Sequence, residues 1–235
     1  MAYWMSRDQR AHDNWALLFA QELAQKRGQP LAVVFCLSPS FLGATIRQCG
    51  FMLKGLSEVE SELAARNIPF FLVHGSPGRA IPEFCRVQGI GTLVTDFDPL
   101  RIKKGWKGTV AGALEIPFYE VDSHNIIPCW LASARPEYGA YTPRGKVERL
   151  LPEFLCEFPA FEYKSAAWNG GPEKIDWKAT EKSLRVNRSV GEIGWLRPGG
   201  KAAREALVKF LDHRLAQYPD DRNDPSKDGQ SNLSP

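Results

Sequence analysis

The residues best placed for chemistry come early. Arg7, Asp8, Gln9, Arg10 and His12 lie in one polar loop, between the apolar stretch Ala2-Tyr3-Trp4-Met5 and the helix start Asp13-Asn14-Trp15-Ala16. An Asx residue before an apolar-periodic run accepts the orphan N–H groups of a first helical turn. A loop from strand to helix lies at the carboxyl edge of an open α/β sheet, where such sheets bind ligands. Ser6 to His12 contains no glycine. It is therefore not the G-x-G-x-x-G turn that lets backbone approach a pyrophosphate, and a ligand here is held by side chains. Spacing alone favours a solvated loop with an internal Arg–Asp pair; the location makes the loop a candidate.

Other chemistry-bearing residues are weaker. Asp96 follows the apolar run Leu93-Val94-Thr95 and reads first as a cap or turn residue ahead of Pro99. Lys54 interrupts the apolar helix run Phe51-Met52-Leu53, where a lysine can snorkel. Gly75-Ser76-Pro77-Gly78 is explained by proline in a first helical turn better than by a phosphate loop. The basic run Arg101 to Lys107 reads as a solvated helix face, because no second basic strip accompanies it. Four scattered histidines show no metal-ligand spacing, so no metal is expected. Five cysteines without a C-x-x-C pair read as free thiols of a reducing compartment. The seven tryptophans read as packing anchors.

The elements that must position these groups alternate. Strands are expected at 3–5, 31–37, 70–73, 92–95 and 118–121, and helices at 14–27, 46–66, 77–87 and 100–113. Continuous apolar strands separated by helices predict a doubly wound five-stranded parallel sheet, an α/β fold. Its strand ends would bring Met5, Arg7, Asp8, Gln9, Leu37 and Asp96 to one edge, with Lys54 on a facing helix. Proline and glycine punctuate 122–200, an interdomain connector with a helix expected over 146–158. Residues 201–218 are amphipathic, and the polar tail reads alone as a loose end. The sequence therefore divides into an α/β domain (1–121), a connector (122–200) and a first helix and loop of a further domain (201–235). A net charge of +3 permits a nucleic-acid partner without requiring one. No apolar run approaches a membrane span. The start is not a signal peptide, so a cytoplasmic protein is expected, or a nuclear one in a eukaryote.

Several blocks carry a family resemblance. Tyr3 to Trp15 (YWMSRDQRAHDNW), Phe51 to Leu56 (FMLKGL), Leu93 to Ile102 (LVTDFDPLRI), Val121 to Trp130 (VDSHNIIPCW), Arg222-Asn223-Asp224-Pro225 and Ser231 to Pro235 (SNLSP) resemble the amino-terminal half of class II cyclobutane-pyrimidine-dimer photolyases, of the photolyase/cryptochrome family. The resemblance implies a Rossmann-like antenna domain, a connector and the opening of an all-helical FAD-binding domain whose remainder lies beyond Pro235. It assigns FAD contacts to Tyr218, Gln230, Ser231, Asn232, Leu233 and Ser234, and no catalytic residue to this segment. It further implies a deazaflavin or folate antenna at the first loop, damaged double-stranded DNA as partner, a monomer when full length, and a light-driven carbon–carbon lyase. The alternatives are a cryptochrome-like signalling protein, or a chromophore or nucleotide binder without catalysis.

Overall fold

A computed structural model describes residues 1–139, 141–159 and 165–231. The chain divides into two compact units, Met1–Pro39 with Glu60–Ile175, and Ser40–Val59 with Asp176–Pro235.

The first unit is built on five strands: β1 (Ala2–Met5), β2 (Ala32–Leu37), β3 (Phe70–His74), β4 (Leu93–Asp96) and β5 (Phe118–Val121). All neighbours are parallel, in the order β3-β2-β1-β4-β5. The order reverses at β1, which lies between β2 and β4 with Trp4 in register with Val34 and Thr95. Parallel neighbours need crossovers, supplied by α1 (Trp15–Lys26), α2 (Ile46–Ala64), α3 (Pro77–Val87) and α4 (Arg101–Ala113). Residues of β1 and β4 are buried throughout, as expected of strands covered on both faces. Side chains alternate across the sheet. Ala2, Trp4, Ala32, Val34 and Leu93 pack with Ile81, Phe84, Cys85 and Val110 of α3 and α4. Tyr3, Met5 and Val33 have the opposite parity and are fully buried.

The crossovers end by local rules. After α1 the Gln29 N–H returns to Ala24 O and that of Gly28 to Gln25 O; after α3, Ile90 and Gly89 repeat the pattern. The left-handed turn required at the second-last position is taken by Gly28 (φ 61°) and Gly89 (φ 59°). Asn67 (φ 57°) does the same after α2.

Beyond β5 come α5 (Cys129–Ala132) and α6 (Tyr141–Phe154). The helix expected over 146–158 starts earlier and stops sooner. Pro143 fits a first turn, where its missing N–H is not needed, whereas Pro152 weakens the last one. The tryptophans depart further from expectation: Trp4 is 2% exposed, but Trp130 is 46% and Trp195 71%. Trp130 lies edge-on to Phe97 at 5.5 Å, on a helix of only four residues.

The second unit holds the first part of α2 with α7 (Trp177–Ser183), α8 (Gly200–His213), a 3-10 turn at Leu215–Gln217 and α9 (Tyr218–Asp221). Asp176 caps α7 by accepting from Lys178 and Ala179 N–H. Glu58 accepts from Lys201 N–H at the start of α8. The amphipathic helix expected to reach Tyr218 stops at His213, where Arg214 leaves helical geometry (φ −125°, ψ −22°), and Pro219 falls in the first turn of α9, where its missing N–H is not needed.

Candidate functional site at the carboxyl edge of the sheet

Asp96, the last residue of β4, organises the loop after β1. Its carboxylate accepts from Tyr3 Oη at 2.8 Å and from the N–H groups of Ser6 (2.9 Å), Arg7 (3.0 Å) and Asp8 (3.2 Å). With no glycine in the loop, a carboxylate from the neighbouring strand takes the backbone donors instead. Burial raises the Asp96 pKa above the usual aspartate value; Ser6 and Arg7 N–H oppose this and the nearby Asp8 charge adds to it. Burial likewise pushes the Tyr3 phenol well above its ordinary value.

Asn14, the N-cap of α1, ties three segments together. Its Oδ1 accepts from Leu17 N–H at 3.0 Å and from Ser123 Oγ at 3.1 Å. Its Nδ2 reaches Tyr3 Oη, Asp8 O and Arg10 O at 3.0–3.2 Å. Arg10 donates to Ser123 O, joining the loop to the exit of β5. Asp8 is fully buried. Its charge is faced by Arg10 Nη2 at 3.2 Å and His124 Nδ1 at 3.5 Å, yet neither carboxylate oxygen accepts a hydrogen bond. The internal Arg–Asp pair anticipated from the sequence is thus present, buried on its acidic side.

The expected edge residues separate into layers. Met5 and Leu37 are buried beneath the edge, and Asp8 and Asp96 face inward. Arg7 and Gln9 are half-buried, with Gln9 Nε2 donating to Ser6 O at 3.2 Å. Lys54 belongs to the second unit, where its ammonium pairs with Glu192. Sequence reasoning missed Tyr3, Ser123 and His124. A tyrosine hydroxyl inside an otherwise apolar strand was the available signal for the first. It also misread half of the basic run. Arg101 and Lys104 are exposed, but Lys107 is buried and donates to Asp96 O and Glu120. Lys103 donates to Ser6 Oγ at 2.9 Å. Positions 103 and 107 share a helix face, and that face turns toward the strand ends.

In the second unit, Tyr218 packs edge-on against Phe210 at 5.6 Å, and the Arg222 guanidinium lies 5.9 Å from its ring. Arg214 gathers the following loop, donating to Asp228 O and Gln230 O and pairing with the Asp228 carboxylate at 2.7 Å. The Gln230 side chain donates to Arg222 O. Asp224 accepts from Ser226 N–H and Oγ. Ser231 is half-buried, and Asn232, Leu233 and Ser234 lie outside the described residues. Arg214, unnoticed in the sequence, is the clamp. Among the described residues no cluster of His, Cys, Asp or Glu could hold a metal ion.

These features define a doubly wound α/β protein with a side-chain-built loop at the point where strand order reverses, and a second unit that is helical. Residues 1–163 match the DNA photolyase family model, and the chain belongs to that family. It is 49% identical over 235 residues to a deoxyribodipyrimidine photo-lyase of Potorous tridactylus, covering 99% of this chain and 44% of the relative. It is 44% identical to one of Arabidopsis thaliana, covering 100% and 49%. The chain thus spans about half the length of these relatives. Among solved structures it resembles an archaeal photolyase from Sulfolobus tokodaii that holds two FAD molecules (TM-score 0.71, 15% identity, 99% of this chain and 50% of that one). It also resembles a Synechocystis cryptochrome (TM-score 0.67, 16% identity, 95% and 48%).

Proposed function

We propose that this chain supplies the antenna-binding α/β unit and the first flavin contacts of a photolyase that repairs cyclobutane pyrimidine dimers in DNA. The kinship with deoxyribodipyrimidine photo-lyases over nearly every residue carries the reading. It favours repair over cryptochrome-like signalling, for which only a shared fold speaks.

The residues present suit both cofactors. At the carboxyl edge, Arg7 and Gln9 are the side chains that would touch a planar antenna, a deazaflavin or a folate. Met5 and Leu37 lie beneath them, while Asp8 and Asp96 hold the loop in shape. In the second unit Tyr218 opens α9 and Gln230 stands on a loop held by Arg214; with Ser231 they would meet FAD, as would Asn232, Leu233 and Ser234, which lie outside the described residues. Bound and fully reduced, FAD supplies the electron that opens the dimer and takes it back afterwards. The chain's own part is to orient, exclude water and hold the antenna. The whole enzyme takes the dimer out of the base stack.

The test has two arms. Deazaflavin and folate chromophores are titrated against the 235-residue chain and its Arg7→Ala variant. Binding to wild type, weakened about tenfold or more in the variant, supports the edge as an antenna site; no binding of either chromophore overturns it. In the second arm the chain is given reduced FAD and a dimer-containing oligonucleotide under blue light. No dimer loss above the free-flavin control is expected, because this segment carries only the opening of the flavin site.

A further inference from the structure

We propose that Asp8 and His124 form a proton-operated latch between the loop after β1 and the exit of β5, closed when the imidazole is protonated and slack when it is neutral. The inference is independent of what binds at the edge.

Asp8 has no exposed surface, and its charge is felt by Asp96 in the same interior. Arg10 Nη2 at 3.2 Å and His124 Nδ1 at 3.5 Å face its carboxylate, and neither completes a hydrogen bond to it. His124 Nδ1 is itself buried and has no hydrogen-bond partner among the described residues. Buried polar atoms are nearly always paired, and a buried carboxylate costs free energy until a donor reaches it. Arg10 is engaged elsewhere. It donates through Nε to Asp13 O and through Nη2 to Ser123 O, and its side chain is 36% exposed. The imidazole is the donor still to be engaged.

A protonated imidazole carries N–H on both ring nitrogens and a positive charge, and its bond to a carboxylate is stronger than a neutral one. A neutral imidazole holds a single proton, and with Nδ1 bare it sets a lone pair against an acceptor. The change falls between pH 5 and 8, where an imidazole titrates. The other charged or titratable groups around the pair are accounted for. Tyr3 of β1 donates to Asp96, and Asp96 of β4 also holds three backbone N–H groups. Asp122, two residues before His124, is spent on Asn125 and on Cys129 N–H. Ser123 is tied to Asn14 and Arg10 whatever the pH. His124 is the next residue out, so the latch governs how firmly the chain leaving β5 lies on the loop.

The test is amide hydrogen exchange of the 235-residue chain at pH 5.5 and pH 8, corrected for the intrinsic rate at each pH. In wild type, amides of 124–127 should be protected about tenfold more at the lower pH, as loss of a charge-assisted bond implies. His124→Gln, which keeps a polar side chain without a titrating ring, should remove that pH dependence. Asp8→Asn should remove it too. Asp96 is present in every variant, so the comparison isolates the latch from its titration. A contact that only packs would change protection equally at both pH values. If Asp8→Asn does not fold, the His124 Cε1 proton, followed by NMR in wild type, should titrate in step with the change in protection. Equal protection of wild type at the two pH values overturns the latch. So does a pH dependence that persists in His124→Gln, or an imidazole titration out of step with protection.

Discussion

Asp96 gathers the Tyr3 hydroxyl and three backbone N–H groups on one carboxylate, and its chemistry gives it a measurable signature. Exchange to asparagine leaves an amide hydrogen pointing at backbone N–H groups. It should cost about 2 kcal/mol at neutral pH, since charge-assisted bonds are lost and donors stranded. The pH dependence has a definite sign. Because the folded pKa is raised, the carboxyl's contribution to stability is complete below its unfolded value, about 3.9, and declines as pH rises through the folded value. The gap between wild type and Asp96→Asn, from urea midpoints, should therefore be widest near pH 4 and narrow upward; a gap that widens with pH is the contrary result. The cysteines give a second check. Cys36 and Cys85 are pushed up to about 12 by burial, and Cys49 is buried, whereas Cys129 and Cys156 are exposed. Alkylation at pH 8 should label Cys156 and then Cys129, whose own pKa is raised by burial and by Asp122, well ahead of the rest. Early modification of Cys85, read by peptide mass, would contradict this packing.

Helix ends decide how the crossovers meet the sheet. Asn14 caps α1 while holding Tyr3, the loop carbonyls and Ser123, so Asn14→Ala removes a cap and an internal link together. A loss of about 2 kcal/mol is expected, the upper end for a cap. Asn14→Asp, which keeps the cap but not the amide donor, should fall between. At the other end of α1, nothing lies within 4 Å of the site a Gly28 Cβ would occupy. Gly28→Ala should thus cost only the left-handed backbone penalty, about 1 kcal/mol; a thermal midpoint unchanged by it would remove the case for that turn. Equal effects of Asn14→Ala and Asn14→Asp would show that the cap itself contributes little.

The surface of α8 and the turn after it carries several exposed apolar side chains. Phe210 is buried, but Leu207, Val208, Leu211 and Leu215 are 40–56% exposed, and Trp195 lies open in the same unit. Apolar side chains gathered in this way mark association surfaces. The 235-residue chain should bind a hydrophobic dye and self-associate at high concentration. Replacing Leu207 and Leu211 by Ser should lessen both without lowering the thermal midpoint. Dye binding that survives the double replacement would place the sticky surface elsewhere. No described helix is long and apolar enough to cross a membrane.

The sequence by itself determined the α/β class, the five strands and four crossovers to within a residue or two, and the place of the first loop at a strand end. These follow from local causes: apolar runs, N-caps and left-handed turn residues act over a few positions and can be read there. The parallel pairing was legible for the same reason, since helices between strands leave no room for hairpins. What tertiary structure alone decided is which groups at the edge are spent and which are offered. Asp96 looked first like a cap or turn residue until β4 was laid beside β1, ninety residues away, and the backbone donors of Ser6, Arg7 and Asp8 reached it. Lys103 and Lys107 looked like a solvated face until α4 packed with that face toward the strand ends. Arg214 looked like any surface arginine until the chain returned to place two carbonyls before it. Propensity and periodicity act along the chain; desolvation and hydrogen-bond competition act through space, and they fix the chemistry of the site only once distant strand ends meet.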